Sequence, residues 1–486
     1  LTLNGSGTKT FNNTLGATTA LDSLSQPNGT GLVTFNADVT LTNGASFNSN
    51  VALSNMSFSA GAAVNFGNAA TDTLTLSAGG GTSLTGTGAY TVQSDGSGAA
   101  TFYENIIAAG AVTMNANVTL SGLTLTSGGV VTIGNAPGTD VLTLAGAAVT
   151  VTSAAANTAQ TYDCGITGGQ DLTVAAGTGA VVFNGLIGAS AGSRPTGLSV
   201  SGGSILFGND ASDTLQLEGT GTLAYTANVG AGTITLRGSN IATPGTQTYT
   251  ASTRVVVDLH ANGTYTAGGT GLAVAAPYLF LDSGAAATLT LGANLTLSGA
   301  GNLVLYRGTF DLNGRSLAIG GDFVAFGAAY NGSGWRDAAR NTTNPGNRFF
   351  AYPFEGLLGY YTAGALLAAW QAAPACGAGF AATGGGTVIV GRNFYVNGMD
   401  MNPGSAWSLN IPNNTGATAG LLYALADSRY GFGSGVAGGT WAKVFNMAVA
   451  NCTVSAGGVV AAGGANVTGS STGWNTTALT IASAKT

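Results

Sequence analysis

Apolar residues along this chain fall on every second position for a few residues, and the alternation then breaks at glycine or asparagine. Val39-Thr40-Leu41-Thr42, Val118-Thr119-Leu120-Ser121, Leu172-Thr173-Val174 and Leu289-Thr290-Leu291 are typical. A period of two turns one set of side chains inward and the other outward on a strand, and glycine admits the positive φ that a tight turn needs. The pattern predicts short strands joined by Gly/Asn/Ser turns over residues 1–328.

One phrase recurs within it. Gly67-Asn68 leading to Asp72-Thr73-Leu74-Thr75-Leu76 returns as Gly134-Asn135 leading to Asp140-Val141-Leu142-Thr143-Leu144, then as Gly208-Asn209 leading to Asp213-Thr214-Leu215-Gln216-Leu217. The spacings are 134 − 67 = 67 and 208 − 134 = 74 residues. Such a period divides into three coils of about 22 to 25 residues, the texture of a stacked repeat. Short, evenly spaced strands suit a parallel solenoid or a series of sandwiches. Recurrent asparagines, whose amides can bond along a stacking axis, and charge depletion favour the solenoid. The predicted fold is all-β: a right-handed parallel β-helix (β-solenoid) with aromatic-rich loop and short-helix insertions in the C-terminal third.

Residues 1–328 read as the solenoid body. Leu317-Ala318-Ile319-Gly320-Gly321-Asp322-Phe323-Val324 matches Val388-Ile389-Val390-Gly391-Arg392-Asn393-Phe394-Tyr395, which predicts that the solenoid continues over 384–412. Between them, 329–383 reads as an aromatic-rich insertion holding Trp335, Tyr352, Tyr360, Tyr361 and Trp370, with a short helix over 362–371 ended by Pro374. A second insertion, 413–440, is expected to carry a helix at 420–428. Residues 441–486 are expected to supply terminal strands.

Composition then narrows the partners. Only 7% of the 486 residues are charged, with 80 glycines and one histidine. There is no basic stripe and the pI is about 4.6, so no nucleic-acid surface is expected. No apolar run reaches the roughly 18 residues of a transmembrane helix. Residues 1–300 hold 4 basic and 13 acidic side chains (4 − 13 = −9), and residues 301–486 hold 9 and 6 (9 − 6 = +3). That polarity suits head-to-tail association. Among Cys164, Cys376 and Cys452, a Cys376–Cys452 bridge and three unpaired thiols are equal readings. The chain opens on Leu1 rather than Met, which reads as a processed chain or a segment of a longer one.

Candidate chemistry is sparse. Asp210 and Asp213 are neighbours, and Asp400 lies near the Arg392 strand, but carboxylates at turns more simply cap strand ends than form a glycosidase pair. Asp258 and His260 share one face of a strand, with no activated serine motif beside them. The Asn-to-Asp phrase suggests calcium, yet calcium arrays of this kind need oxygen ligands at a far shorter period. No catalytic, cofactor or metal residue is assigned, calcium being the one metal weighed. Thirteen Asn-x-Ser/Thr sequons occur, Asn12, Asn117, Asn262 and Asn294 among them, and glycosylation there would keep a nearly uncharged surface soluble.

A longer phrase, Gly7-Thr8-Lys9-Thr10-Phe11-Asn12-Asn13-Thr14-Leu15-Gly16-Ala17, recurs as Gly177-Thr178-Gly179-Ala180-Val181-Val182-Phe183-Asn184-Gly185-Leu186-Ile187-Gly188-Ala189. This texture resembles the repeats of large bacterial surface β-solenoids, the filamentous-haemagglutinin and autotransporter-passenger proteins. The resemblance implies an exported, extracellular, cell-surface protein that is not an enzyme. The function expected is self-assembly into a filament, sheath or layer through edge strands at Leu1, Leu3, Leu479 and Ile481, with the chain itself as partner. The alternative is an adhesin that binds glycan, host protein or cell envelope through Trp335, Tyr352, Tyr360, Tyr361 and Trp370, whose ring faces suit sugars. A polysaccharide-cleaving enzyme is the third reading.

Overall fold

A computed structural model of the chain describes residues 1–326, apart from 28–30, 55, 68–71, 73, 77–82, 87–89, 103–104, 109, 154–156, 211, 219–222, 228–231 and 284–286. It also describes 377–391 and the strands 394–397, 407–410, 421–425, 446–448, 452–456, 458–462, 466–468, 475–476 and 479–482. The described residues are all β, with parallel stacked strands forming a solenoid and no helix. The chain divides into two compact units, Leu1–Val255 with Thr266–Thr270, and Val256–Tyr265 with Gly271–Thr486.

In the first unit the coils contribute strands to three faces, and Tyr90–Phe102 and Val112–Ser121 each run across two of them. Face A takes Leu24–Gln26, Ala45–Phe47 and Val64–Phe66; face B takes Val33–Phe35 and Val51–Leu53; face C takes Val39–Leu41 and Ser57–Ala60. Every such strand pairs in parallel with the strand of its own face one coil on, as in Leu24 to Ala45 to Val64. Parallel pairing separates the solenoid from a series of sandwiches, whose strands run antiparallel. The coil length varies. Face A advances by 64 − 45 = 19 residues at one step and by 234 − 205 = 29 at another.

Alternation holds throughout: the middle residue of Val33–Phe35, Ala45–Phe47 and Val131–Ile133 faces out while its neighbours are buried. Inside the first coils, Phe47 stacks on Phe66 at 5.5 Å and meets Phe35 and Phe58 edge-on at 5.8 and 6.2 Å. Rings repeated on neighbouring coils thus fill the interior with offset and edge contacts.

The recurrent phrase finds its place here. It forms the corner from face A to face B, and from Val64 to Val131 to Ile205 the chain completes three coils each time. The glycine that opens each copy, Gly67, Gly134 or Gly208, has φ of +80°. The longer phrase behaves differently. Lys9–Phe11 lies on face B and Ala180–Phe183 on face A, so those matched texts share a local conformation but not a face.

Asparagine also stacks coils, in two arrangements among the described residues. Asn36 Nδ2 donates to Asn12 Oδ1 at 2.8 Å, an amide pair of the stacked kind. The second arrangement is a clasp. The side chain just before a paired run accepts the backbone N–H of the same position one coil on: Asp38 from Ser57, Asn105 from Thr124, Asn117 from Val141, at 2.8 to 2.9 Å. In the second unit Asn262, Asn294 and Asn302 do the same for Thr288, Ser316 and Asp322. The clasp accounts for several sequons. In Asn117-Val118-Thr119 the asparagine clasps, the next residue enters the core, and the threonine faces out, so the fold itself writes Asn-x-Thr. Asn117→Ala should cost about 1 kcal/mol, while Asn117→Asp retains the acceptor. Hydrogen exchange at the Val141 amide reads the difference.

The second unit is built the same way. Leu295, Leu317 and Val388 follow one another on one ladder, and Phe323 pairs with Phe394 on another. The two segments that match in sequence therefore lie side by side. The expected helix at 420–428 is overturned: Leu421–Leu425 is a strand between Phe394–Asn397 and Gly458–Ala462. Leu-Leu-Tyr-Ala-Leu is apolar throughout, which carries no period, and parallel partners on both edges decide for the strand. The helix expected at 362–371 lies outside the described residues.

Candidate functional site

The corner phrase gathers an asparagine and an aspartate at one edge, as a ligand site would. Its geometry is closed. Asp140 Oδ2 accepts the N–H groups of Asn135 (2.8 Å) and Ala136 (3.1 Å), and Asp213 Oδ2 accepts those of Asn209 (2.6 Å) and Asp210 (3.2 Å). Both carboxylates are buried, at 4% and 3% exposure. The aspartate thus supplies the anion that a nest of loop amides attracts. Asp210 is occupied as well, its Oδ1 accepting the N–H and hydroxyl of Ser212 at 2.7 and 2.6 Å. Among the described residues no group of three or more His, Cys, Asp or Glu side chains is placed to hold a metal.

Asp258 and His260 come together after a face A strand, with Nε2 3.9 Å from Oδ2. Ser283, one coil on, is buried, and its Oγ accepts the Leu259 N–H (3.1 Å) and donates to the Val257 carbonyl (3.4 Å). That hydroxyl joins coils. Nearby, Arg307 Nε donates to Asp282 Oδ1 at 2.5 Å, which raises the guanidinium pKa further, and its cation lies 5.7 Å from the Tyr306 ring. Asp258, Asp282 and Arg307 form a charged edge, each half-buried, where ion pairing is worth little against solvent.

Of the expected assembly residues, Leu1 is 52% exposed and Leu3 is buried, its N–H donating to Ser25 O at 2.7 Å. Leu479 and Ile481 sit in a strand paired with Gly458–Ala462. Trp335, Tyr352, Tyr360, Tyr361, Trp370 and Asp400 lie outside the described residues.

Sequence reading missed a buried polar pair that occurs twice. Gln160-Thr161-Tyr162 and Gln247-Thr248-Tyr249 both turn Gln and Tyr inward, and the tyrosine hydroxyl donates to the glutamine Oε1 at 3.0 and 2.7 Å. Glutamine Nε2 then reaches a backbone carbonyl, of Ala175 in one case and Thr266 in the other. The signal was available: the same tripeptide at inward positions of two strands. Polarity hid it.

Cys164 is a free, buried thiol. Burial pushes its pKa up, and burial does the same to the Tyr162 and Tyr249 hydroxyls. Below the ordinary thiol pKa of about 8.5 both folded and unfolded chains hold the proton, so this stabilisation is fully present. As pH rises above that value only the unfolded chain releases it, and stability falls towards the raised folded pKa. Denaturation midpoints should therefore decline between about pH 8.5 and 11, less so in Cys164→Ala. A flat profile in both chains would contradict this. No protein-family model, curated protein or solved structure matches the chain.

Proposed function

We propose that the chain is a structural β-solenoid of the bacterial cell surface, of the filamentous-haemagglutinin or autotransporter-passenger kind, that assembles into a filament, sheath or layer by adding coil to coil. One observation carries the reading. Described coils join through parallel ladders and through side-chain clasps directed from one coil to the next, so a coil finds its full set of partners only between two others. An unsatisfied ladder edge recruits a further strand. A second copy provides one when its Leu1–Leu3 segment stacks on the Leu479–Ala482 strand. The opposite net charges of residues 1–300 and 301–486 favour that head-to-tail joint over a meeting of like ends. Assembly of the purified chain tests the proposal: removing residues 1–10 should abolish fibres, and fibres that persist unchanged would show that this joint is wrong.

A further inference from the structure

Among the described residues, asparagine is followed by glycine at Asn4-Gly5, Asn43-Gly44, Asn184-Gly185, Asn262-Gly263 and Asn313-Gly314. Such a pair has a chemistry of its own. Glycine lacks the Cβ that would shield its backbone nitrogen, so that nitrogen can reach the Cγ of the preceding carboxamide. Exposure does not separate the pairs, because Asn4, Asn43, Asn262 and Asn313 all face solvent and Asn184 is half-buried. A tie to the neighbouring coil does. Asn43 Nδ2 donates to Asp22 Oδ1 at 2.7 Å, Asn184 Nδ2 to Asp163 Oδ1 at 2.6 Å and Asn313 Nδ2 to Leu291 O at 3.1 Å. Asn262 Oδ1 accepts the Thr288 N–H at 2.9 Å. The glycines that follow are held as well. A Cβ on Gly44 would lie 2.0 Å from the Ala63 carbonyl oxygen, and one on Gly185 2.4 Å from that of Cys164. Gly263 pairs with Leu289 in a ladder, and the Gly314 N–H donates to Gly385 O at 3.1 Å. Asn4-Gly5 has none of this. Among the described residues the Asn4 carboxamide makes no hydrogen bond and the Gly5 N–H donates none. Gly5 stands at φ +90°, and a Cβ there would meet nothing within 4 Å.

We infer that Asn4-Gly5 is a site of spontaneous modification, deamidation through a cyclic imide, and that ties between coils protect the other four pairs. The Gly5 backbone nitrogen bonds to Asn4 Cγ, and the Cγ–Nδ2 bond breaks. The amide nitrogen leaves as ammonia, taking up the proton that the Gly5 nitrogen gives up. Water, the co-reactant, then opens the five-membered imide at either carbonyl and leaves an aspartyl or a β-linked isoaspartyl residue. Nothing is oxidised or reduced. Closure needs the reacting atoms within about 3–3.5 Å of each other. The untied side chain of Asn4 can turn to that geometry, and a carboxamide fastened to the next coil cannot. Lys9 favours the product. Its Nζ donates to Gly5 O at 2.7 Å and Gly7 O at 2.9 Å, which sets an ammonium in the loop where the new carboxylate forms. The reaction needs no second chain, so it stands whether or not copies join end to end.

Peptide mapping by mass spectrometry, on the full chain held for weeks at neutral pH and body temperature, tests this. The Asn4 peptide should become one mass unit heavier and split into aspartyl and isoaspartyl forms. It should do so at least tenfold faster than the peptides of the other four pairs. In urea, where the coils are lost, all five should react at similar rates. Asn4→Gln, whose longer side chain would have to close a six-membered ring, should stay unmodified over the same period. An Asn4 that persists in the folded chain while reacting in urea would overturn the inference. So would equal rates at all five pairs in the folded chain, or an Asn4→Gln chain that reacts as fast as the wild type. A sugar mass on Asn4, which opens the sequon Asn4-Gly5-Ser6, would overturn it too, because the amide nitrogen would then be held by a glycan.

Discussion

Phe47→Ala should destabilise the first coils by roughly 3–5 kcal/mol and leave distant coils of the same unit nearly untouched. Phe47 is fully buried and touches the rings of Phe35, Phe58 and Phe66, so its removal opens a cavity lined by aromatic edges on three strands. In a solenoid each coil is stabilised by its immediate neighbours, and the damage stays local. Hydrogen exchange should show lost protection across residues 24–66, with the strands Leu198–Gly202 and Gln247–Ala251 still protected. Uniform loss across the unit would mean that the coils are not the cooperative elements.

The second large effect is expected at a glycine. Gly134 opens a corner at φ +80°, and a Cβ there would lie 2.3 Å from the Asp163 carbonyl oxygen and 2.7 Å from Cys164 Cβ. Backbone of the next coil cannot yield as a side chain would. Gly134→Ala should therefore cost roughly 3–5 kcal/mol, combining left-handed strain with overpacking. Gly208 has the same φ, but its nearest neighbours would be at 3.1 to 3.3 Å, so Gly208→Ala should cost only about 1–2 kcal/mol. The pair separates conformational strain from the close approach of coils. Equal midpoints in denaturant for the two variants would mean that the coils at Gly134 are less tightly apposed than the structure has them.

Much of the architecture was legible because a solenoid repeats its instructions. Val-Thr-Leu and Val-Thr-Phe fix which side chains enter the core, and the Gly-Asn-to-Asp phrase marks the corner from face A to face B at every third coil. Register was not legible. Coil length varies, so no fixed period tells which face a strand joins, and the texts around Phe11 and Phe183 looked equivalent while lying on different faces. The partner of an asparagine clasp is not legible for the same reason: the N–H of Val141 is identified only once Val118 is known to lie beside Leu142. At the candidate site, a carboxylate that binds a ligand and one that binds its own loop look alike in sequence. Asp140 and Asp213 prove to be the second kind.

End-to-end stacking of copies is the central claim, and electron micrographs of the purified full chain over a concentration series test it most directly. Unbranched fibres that lengthen with concentration are the predicted result. Isolated particles of one size at every concentration would contradict it.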